Sequence, residues 1–365
     1  MMRKSFQLKP DYPSVAARFA DFWQHKEMDK PLLYAKVAKK HPLVKAKEFP
    51  GLSRRQKDDN PDWHLNYIQQ QLWNYDYLWE SVPNAQVMLG RDIVALACLA
   101  GYDFEMHEQT EFIRFTSVPD LLERPKPQFR ADLPFVQKAM QIYINICQAV
   151  GDLAFVNPPT SADALTTVAL LLGENNFCKA CLRQPEQVLD TALAFNALFY
   201  DFYDYIYRFL TEQGYGQSGS WFPVLAEGKF DGVRSDISVM LSPAVFQTLS
   251  LPLLEAACAR LDYSMFNLDS TDLFRFLPLL SKCSGLQGIY WNIEAWRRDF
   301  NEQLPLLKQL KDAGMLLAIP CHDAQEMALL TQKLGADGLL FEFIGPTDAG
   351  HLAAISKALD NKNAF

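Results

Sequence analysis

Residues 263–272 read YSMFNLDSTD. The apolar run from Tyr263 to Phe266 delivers Asn267 and then Asp269 just before a leucine-rich stretch, LFRFLPLLSK (273–282). A strand repeats every two residues, so these two polar side chains leave it on the same face. If that face is the inside of a barrel, an amide and a carboxylate sit together at its mouth. The rest of the chain decides whether the barrel exists.

Short apolar runs with β-branched or aromatic content recur outward from this stretch: LLYAKV (32–37), QVML (86–89), LAFV (153–156), SWFPVLA (220–226), YSMF (263–266), GIYW (288–291), LLAIP (316–320) and GLLFEF (338–343). Several are continuous rather than alternating, as strands buried on both faces require. Helical stretches separate most of them. SPAVFQTLSLPLLEAACARL opens with Ser242 as cap and Pro243 in its first turn. FNEQLPLLKQLKDAG closes at Gly314, and AQEMALLTQKLGADG also closes on glycine. Such alternation means a parallel sheet, and eight strands suggest an α/β protein of the (β/α)8 type; an open doubly wound sheet is the alternative. Between LAFV and SWFPVLA lie two helices, DALTTVALLLG and PEQVLDTALAFNALFYDFYDYIYRFL. The Phe and Tyr stripe of the second reads as core or dimer interface. With no repeat, low-complexity tract or long Pro/Gly linker, residues 1–365 read as one barrel domain with a basic N-terminal elaboration over 1–65.

Hydrophobic residues make up 49% of the chain and charged ones 21%, the balance of a globular protein with a large core. No apolar run reaches the ~18 residues of a spanning helix, and the N-terminus, MMRKSFQLKPDYP, does not read as a signal peptide. Seven scattered cysteines, an odd number, fit reduced thiols in the cytoplasm better than a disulfide framework. The net charge of −8 argues against a nucleic-acid partner. It is unevenly spread: residues 1–57 hold 14 Lys+Arg against 5 Asp+Glu, a net of +9, which leaves −17 for the remainder. The segment KVAKKHPLVKAKEFPGLSRRQK (36–57), with Arg54 and Arg55, reads either as a solvated basic arm or as a loop that attracts an anionic small molecule.

In a barrel of this kind the active site lies at the C-terminal ends of the strands. There stand Asn157 after LAFV, Asn267 and Asp269 after YSMF, Asn292 and Glu294 after GIYW, and Cys321, His322 and Asp323 after LLAIP. Glu342 lies within the eighth run, and the loop after SWFPVLA adds Glu227, Arg234 and Asp236, with Trp221 inside that run. Any one of these reads as a helix cap, which is the reading for Asp323 and for Ser161 and Asp163. Their concentration at one end is the signal of a pocket. Asp269 with Asp236 makes a candidate acid/base pair. Asp269, Glu342 and His322 make a candidate carboxylate–histidine metal site. Cys178-Lys-Ala-Cys181 has zinc or redox spacing without a second pair, and reads as structural thiols on one helix face. No GxGxxG follows a strand, and neither a GxxxxGK[ST] nor a GxSxG occurs. Of the histidines only His322 stands at a strand end; His25, His41, His64 and His107 read as surface or N-terminal-region residues.

The stretch RSDISVMLSPAVFQTLSLPLLEAACARLDYSMFNLDSTDLFRFLPLLSKCSGLQGIYWNI (234–293) resembles the C-terminal half of the uroporphyrinogen decarboxylase superfamily. PDYPSVAARFADFWQHKEMDKPLLYAKV, PPTSADALTTVALLLG and RQPEQVLDTA are similar to the branch that includes corrinoid-dependent methyltransferases. The resemblance implies a (β/α)8 barrel, often dimeric, with its pocket at the C-terminal face. Two departures qualify it. The arginine-rich motif by which true uroporphyrinogen decarboxylases grip their substrate is reduced to Arg54-Arg55-Gln56. The zinc methyltransferases of the superfamily use His-x-Cys after the fifth strand and a Cys near the eighth; here those places are held by Asn267-Leu-Asp269 and the neighbourhood of Glu342 to Gly345, with no thiol. An amide and a carboxylate make a harder, weaker site than thiolate and imidazole, so zinc is disfavoured.

Three functions follow. The first is methyl transfer between a corrinoid carried by a partner protein and a small acceptor. The second is decarboxylation of an anionic tetrapyrrole or other polyacid, favoured by the basic loop. The third is a barrel that binds its ligand but has lost its chemistry, favoured by Asn267. In the first, Asp269, Asp236 and His322 are the expected catalytic residues, and Asn267, Arg234, Trp221, Asn157, Asn292, Arg54 and Arg55 line the substrate. A cytoplasmic homodimer is expected.

Overall fold

A computed structural model of the chain describes residues 5–53, 56–57, 59–89, 92–106, 113–160, 163–294, 297–343 and 349–360. Arg54, Arg55 and Ser161 lie outside the described residues. The strands are β1 (Leu32–Ala38), β2 (Tyr75–Trp79), β3 (Asn84–Ala85), β4 (Phe104–Met106), β5 (Ile113–Phe115), β6 (Phe155–Val156), β7 (Phe230–Val233), β8 (Tyr263–Asn267), β9 (Gly288–Tyr290), β10 (Leu316–Cys321) and β11 (Leu339–Phe343). Seven form one sheet in the order β2-β1-β11-β10-β9-β8-β7, parallel throughout except for β1 with β2. β3 and β6 pair with each other in parallel, and β4 and β5 form a separate antiparallel pair.

Helices separate the parallel strands much as the sequence pattern requires. Ser242 caps Pro243–Val245 by accepting from the Val245 amide, and Asp323 caps Ala324–Leu334 by accepting from the Gln325 and Glu326 amides. The helix Pro185–Glu212 buries its aromatic stripe, including Phe195, Phe199, Tyr200, Phe202 and Tyr203, in the core. At the other end of the sheet, Trp23 of the helix Tyr12–Trp23 packs on Phe230 and Tyr263, the first residues of β7 and β8. That helix therefore covers the N-terminal ends of these strands.

Three expectations need correcting. SWFPVLA is not a strand. Residues 218–226 form a tight excursion held by paired hydrogen bonds between Ser218 and Ala226, with Ser220 in the left-handed region (φ 57°) and Pro223 in the turn. The run is apolar because Phe222, Val224 and Leu225 are buried. The strand it was taken for is FDGV, β7, whose Asp231 and Gly232 dilute the apolar signal. The second strand likewise precedes QVML, at Asn84–Ala85. His64, expected near the surface, is fully buried with its ring against Trp63.

Parallel register sorts the side chains into two faces. Tyr34 pairs with Glu342, Glu342 with Pro320, Ala318 with Tyr290, Tyr290 with Asn267, and Met265 with Gly232. Residues in register share a face, and each strand returns to it every second position. One face therefore carries Tyr34 and Lys36, Leu340 and Glu342, Ala318 and Pro320, Gly288 and Tyr290, Met265 and Asn267, and Gly232 and Arg234. The opposite face carries Phe341, Ile319, Trp291 and Phe266 beneath the helices, all fully buried. The Phe222 ring fills the first face: a Cβ at Gly232 would lie 2.3 Å from its Cε1.

Candidate functional site

Toward the C-terminal ends of the strands the first face carries Lys36, Glu342, Tyr290, Asn267 and Arg234. Two residues further on come Asn292, Asp269 and Asp236. They form two groups.

The first group is built of amides and carboxylates. The Asn292 Nδ2 donates to Asn267 Oδ1 at 3.2 Å, and Asn267 Nδ2 donates to Asp269 Oδ2 at 3.2 Å. Burial pushes the Asp269 carboxyl up to about 6; the nearby Asp236 adds to the rise and Arg234 opposes it. Arg234 Nε lies 3.7 Å from Asp236 Oδ2. Behind them Asp163, at the start of the helix Ala164–Leu172, accepts from the Asp236 amide at 2.5 Å and from the Thr166 amide at 2.9 Å. Burial and then Asp236 push Asp163 up to about 6, while the hydrogen bonds from Thr166 hold it down.

The second group is built around Glu342. The Tyr290 hydroxyl donates to Glu342 Oε2 at 2.5 Å, reaching across the intervening strand β10. Burial raises both groups above their ordinary values, and Lys36 and Arg298 draw Glu342 back toward its charged form. The Lys36 amine stands 5.7 Å from the ring centre of Tyr34 and 5.9 Å from that of Tyr77, and burial lowers its proton affinity. Arg298 donates to the Pro320 carbonyl and lies 3.4 Å from His322 Nε2.

Over Tyr290 sits Trp221, 39% exposed, with ring centres 5.8 Å apart, and beside it Phe222 at 4.8 Å. This roof is fixed from below. Asn157, fully buried, donates to Gln86 Oε1 at 2.8 Å and to the Ser220 carbonyl at 3.1 Å, and accepts from the Gly219 amide at 2.9 Å. Asn84 donates to the same Ser220 carbonyl at 3.1 Å. Ser220 itself carries a left-handed backbone and a buried hydroxyl without a hydrogen-bond partner among the described residues. Strain of this kind concentrates at functional sites.

The structure thus brings Asp269, Asn267, Asn292, Asp236 and Arg234 together and sets Trp221 near them. Other residues stand differently. Asn157 spends its amide on the roof and offers none to the mouth. Glu227 meets the Tyr12 hydroxyl at 3.2 Å, toward the covered end of the sheet. Cys321 is fully buried, in register with Phe343, on the face beneath the helices. Cys178 is exposed and Cys181 buried, so they do not share one environment. In the candidate metal set, Asp269, Glu342 and His322 are engaged with Asn267, Tyr290 and Arg298 respectively. Among the described residues no three His, Cys, Asp or Glu side chains are grouped to hold a metal ion. An amide and a carboxylate at Asn267 and Asp269 make a harder, weaker zinc site than thiolate and imidazole.

Sequence reasoning took Lys36 only as the start of the basic segment 36–57 and passed over Tyr290 and Arg298. Lys36 carried a readable signal, since a lysine two residues past a tyrosine in a buried run keeps to the same face as that tyrosine. Arg298 carried none.

No protein-family model matches the chain, and no curated protein matches it in sequence. Among solved structures it is similar to a methyltransferase from Methanosarcina mazei, at a TM-score of 0.55 and 12% identity, covering 95% of this chain and 98% of that one. At this identity the likeness is one of fold. No helix among the described residues is long and apolar enough to cross a membrane.

Proposed function

We propose that the chain is a closed (β/α)8 barrel of the uroporphyrinogen decarboxylase superfamily, in its methyltransferase-like branch, and that it moves a methyl group between a partner-borne corrinoid and a small anionic acceptor. The observation that carries this reading is the meeting of Asp269 with Asp236 and Arg234 at the strand ends of a fold similar, nearly end to end, to a methyltransferase. Eight parallel strands (β1, β3, β6 and β7 to β11) follow one another as a barrel needs. All seven cysteines are free, in keeping with a cytoplasmic protein. A single domain working as a homodimer completes the reading.

An acceptor that takes a methyl group must give up a proton. A carboxylate whose proton affinity lies near neutrality suits that task. Asp269 receives the proton, Asn267 and Asn292 hold its carboxylate in place, and Trp221 keeps water from the acceptor. The corrinoid supplies the methyl group when its carrier docks, and no step is routed through zinc.

The test offers free methylcobalamin together with a panel of small thiols, amines and phenols that carry an acid group. Decay of the methylcobalamin spectrum should accompany a methylated acceptor found by mass spectrometry, and Asp269→Asn should slow it by ~10²-fold or more. Release of carbon dioxide from a polyacid, or tight ligand binding with no turnover at all, would overturn the reading in favour of a decarboxylase or a binding barrel.

A further inference from the structure

The methyl-transfer reading leaves the second group at the mouth unused. Lys36 lies toward the C-terminal end of β1 on the inward face, one position before Ala38 on that face, and its amine has neither an ion-pair partner nor a hydrogen-bond acceptor among the described residues. Two aromatic rings flank it instead, Tyr34 at 5.7 Å and Tyr77 at 5.9 Å. Glu342, in register with Tyr34 on the neighbouring strand, is held at 2.5 Å by the Tyr290 hydroxyl. The charge of Arg298 reaches the same carboxyl, and its Nε is buried without a hydrogen-bond partner among the described residues. An amine with no ion pair or hydrogen bond among the described residues, within electrostatic reach of a carboxyl–phenol pair, has the parts of a nucleophile with its own proton carrier.

We infer that Lys36 forms an imine with a small carbonyl compound bearing an acid group, and that Glu342 and Tyr290 move the protons of that reaction. The neutral amine adds its lone pair to the carbonyl carbon, and the carbonyl oxygen takes a proton from the Glu342–Tyr290 pair. Nitrogen returns a proton to the pair. A second proton from the pair to the hydroxyl lets water leave as the carbon–nitrogen double bond forms, and the remaining N–H then returns its proton to the pair. Amine and carbonyl give imine and water, with no net change in oxidation state. Arg298 supplies the positive charge that an acid group on the ligand would meet. Burial, by lowering the proton affinity of Lys36, keeps more of it neutral than an exposed lysine. This inference is independent of methyl transfer and stands or falls separately.

The full chain incubated with pyruvate and sodium cyanoborohydride traps an imine as a stable carboxyethyl group on nitrogen, located by peptide mapping. Lys36 should be labelled ~10-fold or more faster than exposed lysines such as Lys26 and Lys138. Its labelling should persist to lower pH than theirs. Lys36→Met should remove that label alone, and Glu342→Gln and Tyr290→Phe, which keep the amine, should slow it by ~10-fold or more. Denaturing the chain in urea should abolish the preference. Labelling of Lys36 no faster than Lys26 in the folded chain overturns the inference, whatever Lys36→Met does to folding. Selective labelling that Glu342→Gln and Tyr290→Phe leave untouched removes those two from the proton transfer and overturns their half of it.

Discussion

Asp269 shows at the scale of one residue what the site asks of the fold. Its carboxyl is carried from its ordinary 3.8 to about 6 by burial first and by Asp236 second. The native state therefore holds that proton more tightly than the unfolded chain does. Stability that is fully present below pH 4 is lost as pH rises through 6. The rise corresponds to about 3 kcal/mol at most, and the open side of the carboxylate reduces it to about 1–2. Asp269→Asn, which keeps the shape and removes the charge, should raise stability by about 1–2 kcal/mol at pH 8 and leave it unchanged at pH 4. Urea midpoints of parent and variant at the two pH values, with equal slopes, check this. A variant no more stable than the parent at pH 8 would mean that Arg234 already neutralises the carboxylate.

The 218–226 excursion is the element that sets the shape of the mouth, and it was the element the sequence concealed. Seven apolar runs were legible as strands or as their immediate flanks because helical stretches bracket them, and Asn267 with Asp269 was legible because a strand repeats every second residue. SWFPVLA carries the same composition as those runs. What separates it is Pro223, the left-handed Ser220 and the ring of Phe222 lying on Gly232, and only the last is a tertiary fact. Lys36 and Glu342 come together through strand pairing between β1 and β11, more than 300 residues apart in the chain, so no local pattern joined them. Gly232→Ala should make the point experimentally. Its Cβ would meet a ring that is 1% exposed and has nowhere to go, so a loss of about 1–3 kcal/mol is expected. Displacing Phe222 should also disturb the Trp221–Tyr290 contact, so quenching of tryptophan fluorescence by a small solute should change with it. An unchanged melting point would show that the excursion is loosely packed.

For the whole molecule the edges of the seven-stranded sheet decide what holds the proposed barrel together. Hydrogen bonds run unbroken from β7 to β1, yet β1 takes the antiparallel β2 as its other neighbour, and β3 and β6 are two-residue strands bonded only to each other. The proposed barrel is then joined on that side chiefly by side chains. Asn157 is central to them, since its amide ties Gln86, Gly219 and Ser220 into one knot, with Asn84 as the second hold on Ser220. Asn157→Ala leaves the buried Gly219 amide without its acceptor and weakens the hold on the Ser220 carbonyl, a cost of about 1–3 kcal/mol. Because the knot is confined to one side, the cost should be paid by local opening. Hydrogen exchange of the native protein should then quicken ~10-fold or more across residues 84–86, 155–157 and 217–226, while the amides of β8, β9 and β10 keep the rates of the parent. Equal quickening across all strands would mean that Asn157 supports the fold as a whole. No quickening in the first three segments would mean that backbone pairing, not this amide, joins the two parts of the sheet.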